Sequence, residues 1–403
     1  MFGADRAAEG WLVSHVNSGS ANRLAFADLL RGVAALAVVI GHFTVLYLTA
    51  PDVVSLIVMS EPSAKVVLPQ IATDLIELFN LPSMGVAVFF LISGFVIPLS
   101  LEGTTTRGYL LKRFLRIFPT YWVALALGIG ATFVSGGFWS KPVTHDHIDY
   151  FSNTFLIANL FGRFDILSVA WTLQIEMKFY LLAPLIYLAL RRGTQLPLLL
   201  CGLAVVGVFW NATAFCNNVD VACWDHYRFS ARMFWEDAMH MMYMLMGSLF
   251  YAHYRKLIPN WQVIGGVAFL FGCYNAAALA MPIPKGGQHL PYLWGLIIFG
   301  SLYALRNRIT LTRPFRFLAD ISYSLYVIHP LVGYVTMRLL MAAGLPYLAA
   351  FAVALALVIG IAWTMHLYVE TPMIALGKRL ANAWFGSRKR DKVPALASPA
   401  LQG

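Results

Sequence analysis

Two histidines, a glutamate and several arginines stand in this chain inside stretches that are otherwise apolar. An ionisable side chain in hydrocarbon surroundings is costly, so each is a candidate for function. Asp28 and Arg31 are followed by an apolar run that closes on His42. Eleven residues of helix bring Arg31 and His42 to within roughly 20° of one face, about 16 Å apart along the axis. Asp28 lies one turn before Arg31 and is placed to pair with it. A second run carries Gln174, Glu176 and Lys178, with Glu176, Phe179 and Tyr180 on one stripe. A third carries Ser322, Tyr326 and His329 at i, i+4, i+7, with Pro330 next to bend the helix. These types suit proton transfer: a neutral imidazole titrates near working pH and is a ready general base. Arg113 and Arg116, three apart on one helix face, suit bidentate grip on phosphates.

Each has a plainer reading. Arg31 can snorkel and His42 can bond a neighbouring helix. Glu176 can belong to an interhelical ion pair with Lys or Arg. Arg113 and Arg116 can be an ordinary positive cluster at a membrane surface. Ser93, beside Gly94, serves close helix approach more readily than nucleophilic attack, since no adjacent base is identifiable. Glu370 before Thr371 and Pro372 reads as a helix terminus. His145 and His147 flank Asp146 too tightly for a usual metal site, and no metal is expected.

The elements that must position these residues are long apolar helices. Runs fall at about 29–49, 77–99, 117–135, 167–190, 194–214, 236–254, 261–281, 289–305, 317–340 and 347–368. A weaker run, 151–161, suits an interfacial or re-entrant helix. The fold class is therefore all-α, a polytopic integral membrane bundle of about ten transmembrane helices. With both termini in the cytoplasm, twelve Lys and Arg fall in the inner loops and seven in the outer ones, Arg338 among the seven at a span end. Residues 1–23 read as a cytoplasmic tail without a cleavable signal, 24–376 as the membrane domain, and 377–403 as a basic, disordered cytoplasmic tail. Cys201 and Cys273 read as inert, while Cys216 and Cys223 flank an outer loop where a disulfide is an open alternative.

Composition agrees. Apolar residues make up 59% of the 403 and charged residues only 12%, too few to cover soluble domains of that length. The net charge of +10 is dispersed between apolar runs, which excludes a nucleic-acid face and suits topology signals and anionic partners.

Taken in order, Arg31 with His42, Phe89-Phe90 with Ser93-Gly94-Phe95, Arg113-x-x-Arg116-Ile-x-Pro119-x-Tyr121, Trp171-x-Leu173-x-x-Glu176-x-x-Phe179-Tyr180 and Ser322-Tyr323-x-x-Tyr326-x-x-His329 resemble the membrane acyltransferase family 3. These are the bacterial sugar O-acyltransferases. The likeness runs from about residue 24 to 373 and leaves no segment for the SGNH-type esterase domain often fused to the family. It implies an inner-membrane enzyme with no permanently bound cofactor. The donor would be cytoplasmic acyl-CoA, acetyl-CoA foremost, and the acceptor a carbohydrate such as lipopolysaccharide or exopolysaccharide. On that reading Arg31, Arg113 and Arg116 hold the donor's phosphates. His42 takes the acceptor's proton, Glu176 orients His42 or binds the acceptor, and Asp28, Tyr180, Tyr326 and His329 meet substrate. A covalent acyl-histidine remains an alternative. A proton-coupled transporter is the competing class, and the absence of an internal repeat counts against it. A scaffold or sensor does not explain ionisable residues on three spans.

Overall fold

The computed structural model describes residues 24–63, 69–219, 221–280 and 289–386, with the backbone alone at 77, 212–219, 221–236 and 280. Among the described residues there is no strand. α1 (Ala25–Gly41) passes through a π turn, His42–Leu46, into Tyr47–Thr49. Two shorter helices follow, α2 (Pro51–Val58) and α3 (Gln70–Phe79). Then come α4 (Leu81–Leu101), α5 (Thr106–Trp139), the short α6 (His147–Thr154) and α7 (Ala170–Arg191). α8 (Leu196–Val219), α9 (Val221–Tyr254), α10 (Asn260–Ala280) and α11 (His289–Ala304) come next. α12 (Arg313–Ala342) and α13 (Tyr347–Met365) follow, and a second π turn, His366–Glu370, leads into α14 (Thr371–Phe385).

Among the described residues, seven helical stretches are long and apolar enough to cross a membrane: Ala25–Thr49, Gln70–Leu101, Thr106–Trp139, Ala170–Arg191, Asn260–Leu279, Arg313–Ala342 and Tyr347–Phe385. α8, α9 and α11 occupy the other three apolar runs. The weak run at 151–161 resolves into the end of α6 and a 3₁₀ turn, Ala158–Phe161, instead of one helix. α6 starts with a reciprocal capping box between Asp146 and Asp149, and Arg163 reaches both carboxylates. His145 and His147 thus flank a helix cap, and among the described residues no cluster of metal-ligating groups occurs. Cys216 and Cys223 lie where side chains are outside the described set.

Helix association in lipid depends on close packing more than on burial from water. α4 and α9 cross at Gly94 and Gly247. A Cβ on Gly94 would stand 1.9 Å from the Met244 carbonyl oxygen, and one on Gly247 would stand 2.2 Å from that of Leu91. The Ser248 hydroxyl closes the crossing by donating to the Gly94 carbonyl at 3.0 Å. Lys178 of α7 pairs with Asp237 of α9, so the lysine near Glu176 has a different carboxylate as its partner. Arg255 pairs with Glu102 where α4 and α9 end, and Tyr251 donates to the same carboxylate at 3.0 Å. That end, with Lys112, Arg113 and Arg191, is the basic end of the bundle.

Candidate active site

His42 sits in the first residue of the π turn. A π turn shifts the carbonyl register and leaves oxygens without their usual amide partners. Two tyrosines supply donors there. Tyr347 donates to the Phe43 carbonyl at 2.9 Å, and Tyr334 reaches the His42 carbonyl at 3.5 Å. The Phe43 ring packs against Gly333 of α12, where a Cβ would meet it at 2.1 Å. This absence of a side chain lets α12 bring His329 alongside His42.

The two imidazoles meet: His42 Nδ1 and His329 Nε2 are 2.9 Å apart. The surrounding acceptors decide which atoms carry protons. His329 Nδ1 lies 2.9 Å from the Tyr326 carbonyl and 3.2 Å from the Leu325 carbonyl. Carbonyls only accept, so His329 carries its proton on Nδ1. Its Nε2 in the neutral ring is then an acceptor, and His42 Nδ1 must donate to it. The lone pair of His42 is left on Nε2, the atom a general base needs. A backbone carbonyl thus sets the tautomer of His42 through an intervening histidine.

Next to this pair, reaching it through Tyr326 and with neither histidine in its lining, is a cavity of about 100 Å³. Arg31, Arg116, Glu176 and Tyr326 line it, together with Ser93, Thr172, Ser322, Tyr323 and a largely aromatic and aliphatic wall. Tyr326 links cavity and histidine pair, since its backbone holds His329 and its hydroxyl lies 2.9 Å from that of Thr172. Phe89 stacks edge-on against its ring at 5.3 Å.

Glu176 is differently placed from the expectation that it orients His42. Its carboxylate accepts from Tyr180 at 2.6 Å and from Ser93 at 3.3 Å, while His42 has His329 as its partner. Tyr180 therefore holds Glu176 and is not among the cavity-lining residues. Asp28 lies 3.3 Å from Arg31 and orients that guanidinium, again without lining the cavity. The two arginines of the Arg113-x-x-Arg116 motif separate: Arg116 lines the cavity, whereas Arg113 is buried over the rings of Tyr109 and Tyr180, at 5.6 and 5.2 Å. Arg113 thus braces the tyrosine that holds Glu176.

Some residues carry weight here without having stood out in the sequence as site residues. Glu370, read as a helix terminus, lies buried in the second π turn. There it accepts from Ser324 of α12 at 3.0 Å and lies 3.2 Å from His366 Nδ1. It fixes the face of α12 opposite the one bearing Ser322 and Tyr326. Asn153 accepts from the Ile166 amide at 2.8 Å and donates to the Phe164 carbonyl at 3.1 Å, pinning the segment before α7. Gln174 joins it by accepting from the Asn159 amide at 3.2 Å and donating to Asp165. Gln174 was detectable as a costly amide in an apolar run; Asn153 had no such signal.

The fold is a helical membrane bundle with a paired-histidine site beside a cavity lined by two arginines. Comparison gives the family: a model described as an acyltransferase domain matches residues 24–367, and the chain belongs to that acyltransferase 3 family. The chain is 28% identical over 284 residues to "Nodulation protein 10" of Rhizobium leguminosarum bv. viciae, covering 63% of this chain and 72% of that protein. It is 25% identical over 271 residues to "Putative acetyltransferase ORF330" of Acidianus two-tailed virus, covering 64% and 75%. No solved structure matches.

Proposed function

We propose that this acyltransferase moves an acyl group, acetyl foremost, from acyl-CoA to a carbohydrate hydroxyl, working in the bacterial inner membrane with the basic end towards the cytoplasm. Lipopolysaccharide and exopolysaccharide are the acceptor classes to try first. The observation that carries the chemistry is the proton chain from the Tyr326 carbonyl through His329 to His42, which leaves a basic nitrogen at His42 Nε2.

The donor's polyanionic nucleotide stays at the basic end, where Arg31 and Arg116 meet its phosphates. A cavity of about 100 Å³ is far below the size of drug-sized ligand sites, so it takes the acyl thioester and the tip of the pantetheine arm, with the nucleotide outside. His42 Nε2 removes the acceptor hydroxyl's proton as the oxygen attacks the thioester carbonyl. The tetrahedral oxyanion collapses, the C–S bond breaks, and the coenzyme A thiolate takes the proton from His42. His329 holds the imidazolium's Nδ1–H throughout and so stabilises the charge that develops. Residues 24–376 form the unit that does this. No group is held permanently.

The test is thioester consumption and product formation by purified protein in nanodiscs with acetyl-CoA and candidate glycans. His42→Ala is expected to lose about 10²–10⁴-fold in turnover, the range of a general base. Turnover equal to wild type in that variant would sink the base assignment. No acyl-CoA binding by folded protein would turn attention to the transporter.

A further inference from the structure

Arg338 lies near the end of α12 opposite the basic end, nine residues and about 13 Å beyond His329 along the helix. It is only 6% exposed. A buried guanidinium in a membrane protein ordinarily has a carboxylate or an aqueous path beside it, because an uncompensated charge there costs several kcal/mol. Among the described residues, no carboxylate lies in ion-pair reach of Arg338. Its Nε donates to the Ser60 hydroxyl at 3.2 Å, and its guanidinium lies 5.5 Å from the ring centre of Trp139. The Tyr47 hydroxyl lies close by as well, donating to the Met341 sulfur at 3.3 Å. The neighbouring carboxylate, Glu61, is taken by Lys141 at 3.0 Å.

A second observation points the same way. The indole Nε1 of Trp139 is buried with no hydrogen-bond partner. The proton of Ser60 is already given to the Glu61 carbonyl at 3.2 Å. What remains around Arg338 is a set of N–H donors, from guanidinium and indole, without a negative acceptor. The acceptors in reach of the guanidinium are the neutral hydroxyls of Ser60 and Tyr47, so its charge and the unpartnered indole N–H together match an oxyanion.

We propose that Arg338 and Trp139, with Ser60 behind them, form a binding site for a phosphate or carboxylate group, separate from the arginines that line the cavity. The oxyanion can belong to a phospholipid headgroup or to a soluble acidic molecule. The site shares α12 with His329, so its occupancy bears on the same helix that holds the histidine pair.

The test is thermal unfolding in dodecyl maltoside micelles, which carry no phosphate, with inorganic phosphate titrated against chloride at constant ionic strength. A saturable rise in the midpoint is expected for wild type and for Arg116→Gln, which removes a charge at the other arginine cluster. Trp139→Phe keeps a ring under the guanidinium and removes only the N–H. Its half-saturating phosphate should rise about tenfold or more, as for loss of one hydrogen bond to a charged group. Arg338→Gln should lose the component of the response that Trp139→Phe weakens and Arg116→Gln leaves intact; if it does not fold, Trp139→Phe decides alone. Repeating the titration in phosphatidylglycerol nanodiscs separates the sources. Loss of the phosphate effect there assigns the site to a lipid headgroup, and its persistence to a soluble oxyanion. No saturable response in micelles, or identical half-saturation in wild type and Trp139→Phe, overturns the proposal.

Discussion

His329 contributes to the site through its proton, and replacing it distinguishes shape from tautomer. His329→Phe keeps a ring beside Phe43 and Tyr326 but removes the acceptor for His42 Nδ1. His42 is then free to sit with its proton on either nitrogen, and the fraction ready to act falls. A loss of about 10²-fold or more in turnover is expected, with acyl-CoA affinity near wild type. His329→Gln can restore a carbonyl acceptor for Nδ1 and should recover part of that loss. Acid works the same way: a second proton on the pair sets N–H against N–H, so turnover should fall on the acid side in wild type and along a different profile in His329→Gln. The arginines divide by measurement too. Arg116→Gln should raise the KM for acyl-CoA about tenfold or more with little change in kcat, as expected for a phosphate contact. Arg113→Gln removes the cation over Tyr109 and Tyr180 and should act on stability and on kcat through Glu176. Equal KM effects in both variants would contradict this division.

At the scale of helices, the site exists because α1 and α12 are allowed to touch. Gly333→Ala puts a methyl where the Phe43 ring already is, and overpacking of this kind costs roughly 1–3 kcal/mol. We expect a lower unfolding midpoint and, since Phe43 adjoins His42, a turnover loss larger than the stability loss explains. Gly94→Ala should lower the midpoint at least as much, because the obstacle there is the Met244 backbone. The helices were legible in the sequence because apolar runs separated by short charged loops leave few alternatives. Arg31, Glu176, Tyr326 and His329 were legible as costly polar groups in such runs. Which of them meet was not. Period and spacing place Arg31 and His42 on one face, but the π turn at His42, the open Gly333 and the docking of α12 are tertiary matters. For the same reason Lys178 was legible as a charge needing a partner, while Asp237, 59 residues away, was not identifiable as that partner.

Over the whole molecule, charge is arranged along the bundle axis. The basic end holds Lys112, Arg113, Arg191 and Arg255, Arg31 and Arg116 line the cavity, the histidines lie deeper, and Arg338 lies beyond them. A donor that binds by its phosphates and an acceptor that arrives from the other side would meet at His42 without either crossing the whole bundle. Reporter fusions placed after residues 192 and 256 should report cytoplasmic location, and one placed after residue 141 should report the opposite compartment; a reversed pattern would put the donor site on the wrong face.

The space beside the histidines also works as a gauge. One boundary of the cavity is the Tyr326 ring, held by Thr172 and Phe89, and lengthening a chain pressed against it means moving a helix. Acyl groups would therefore be sorted by length more than by polarity. Tyr326→Ala should raise turnover of butyryl or hexanoyl thioesters relative to acetyl when measured beside wild type, as expected if one tyrosine is the stop against which the cargo is measured.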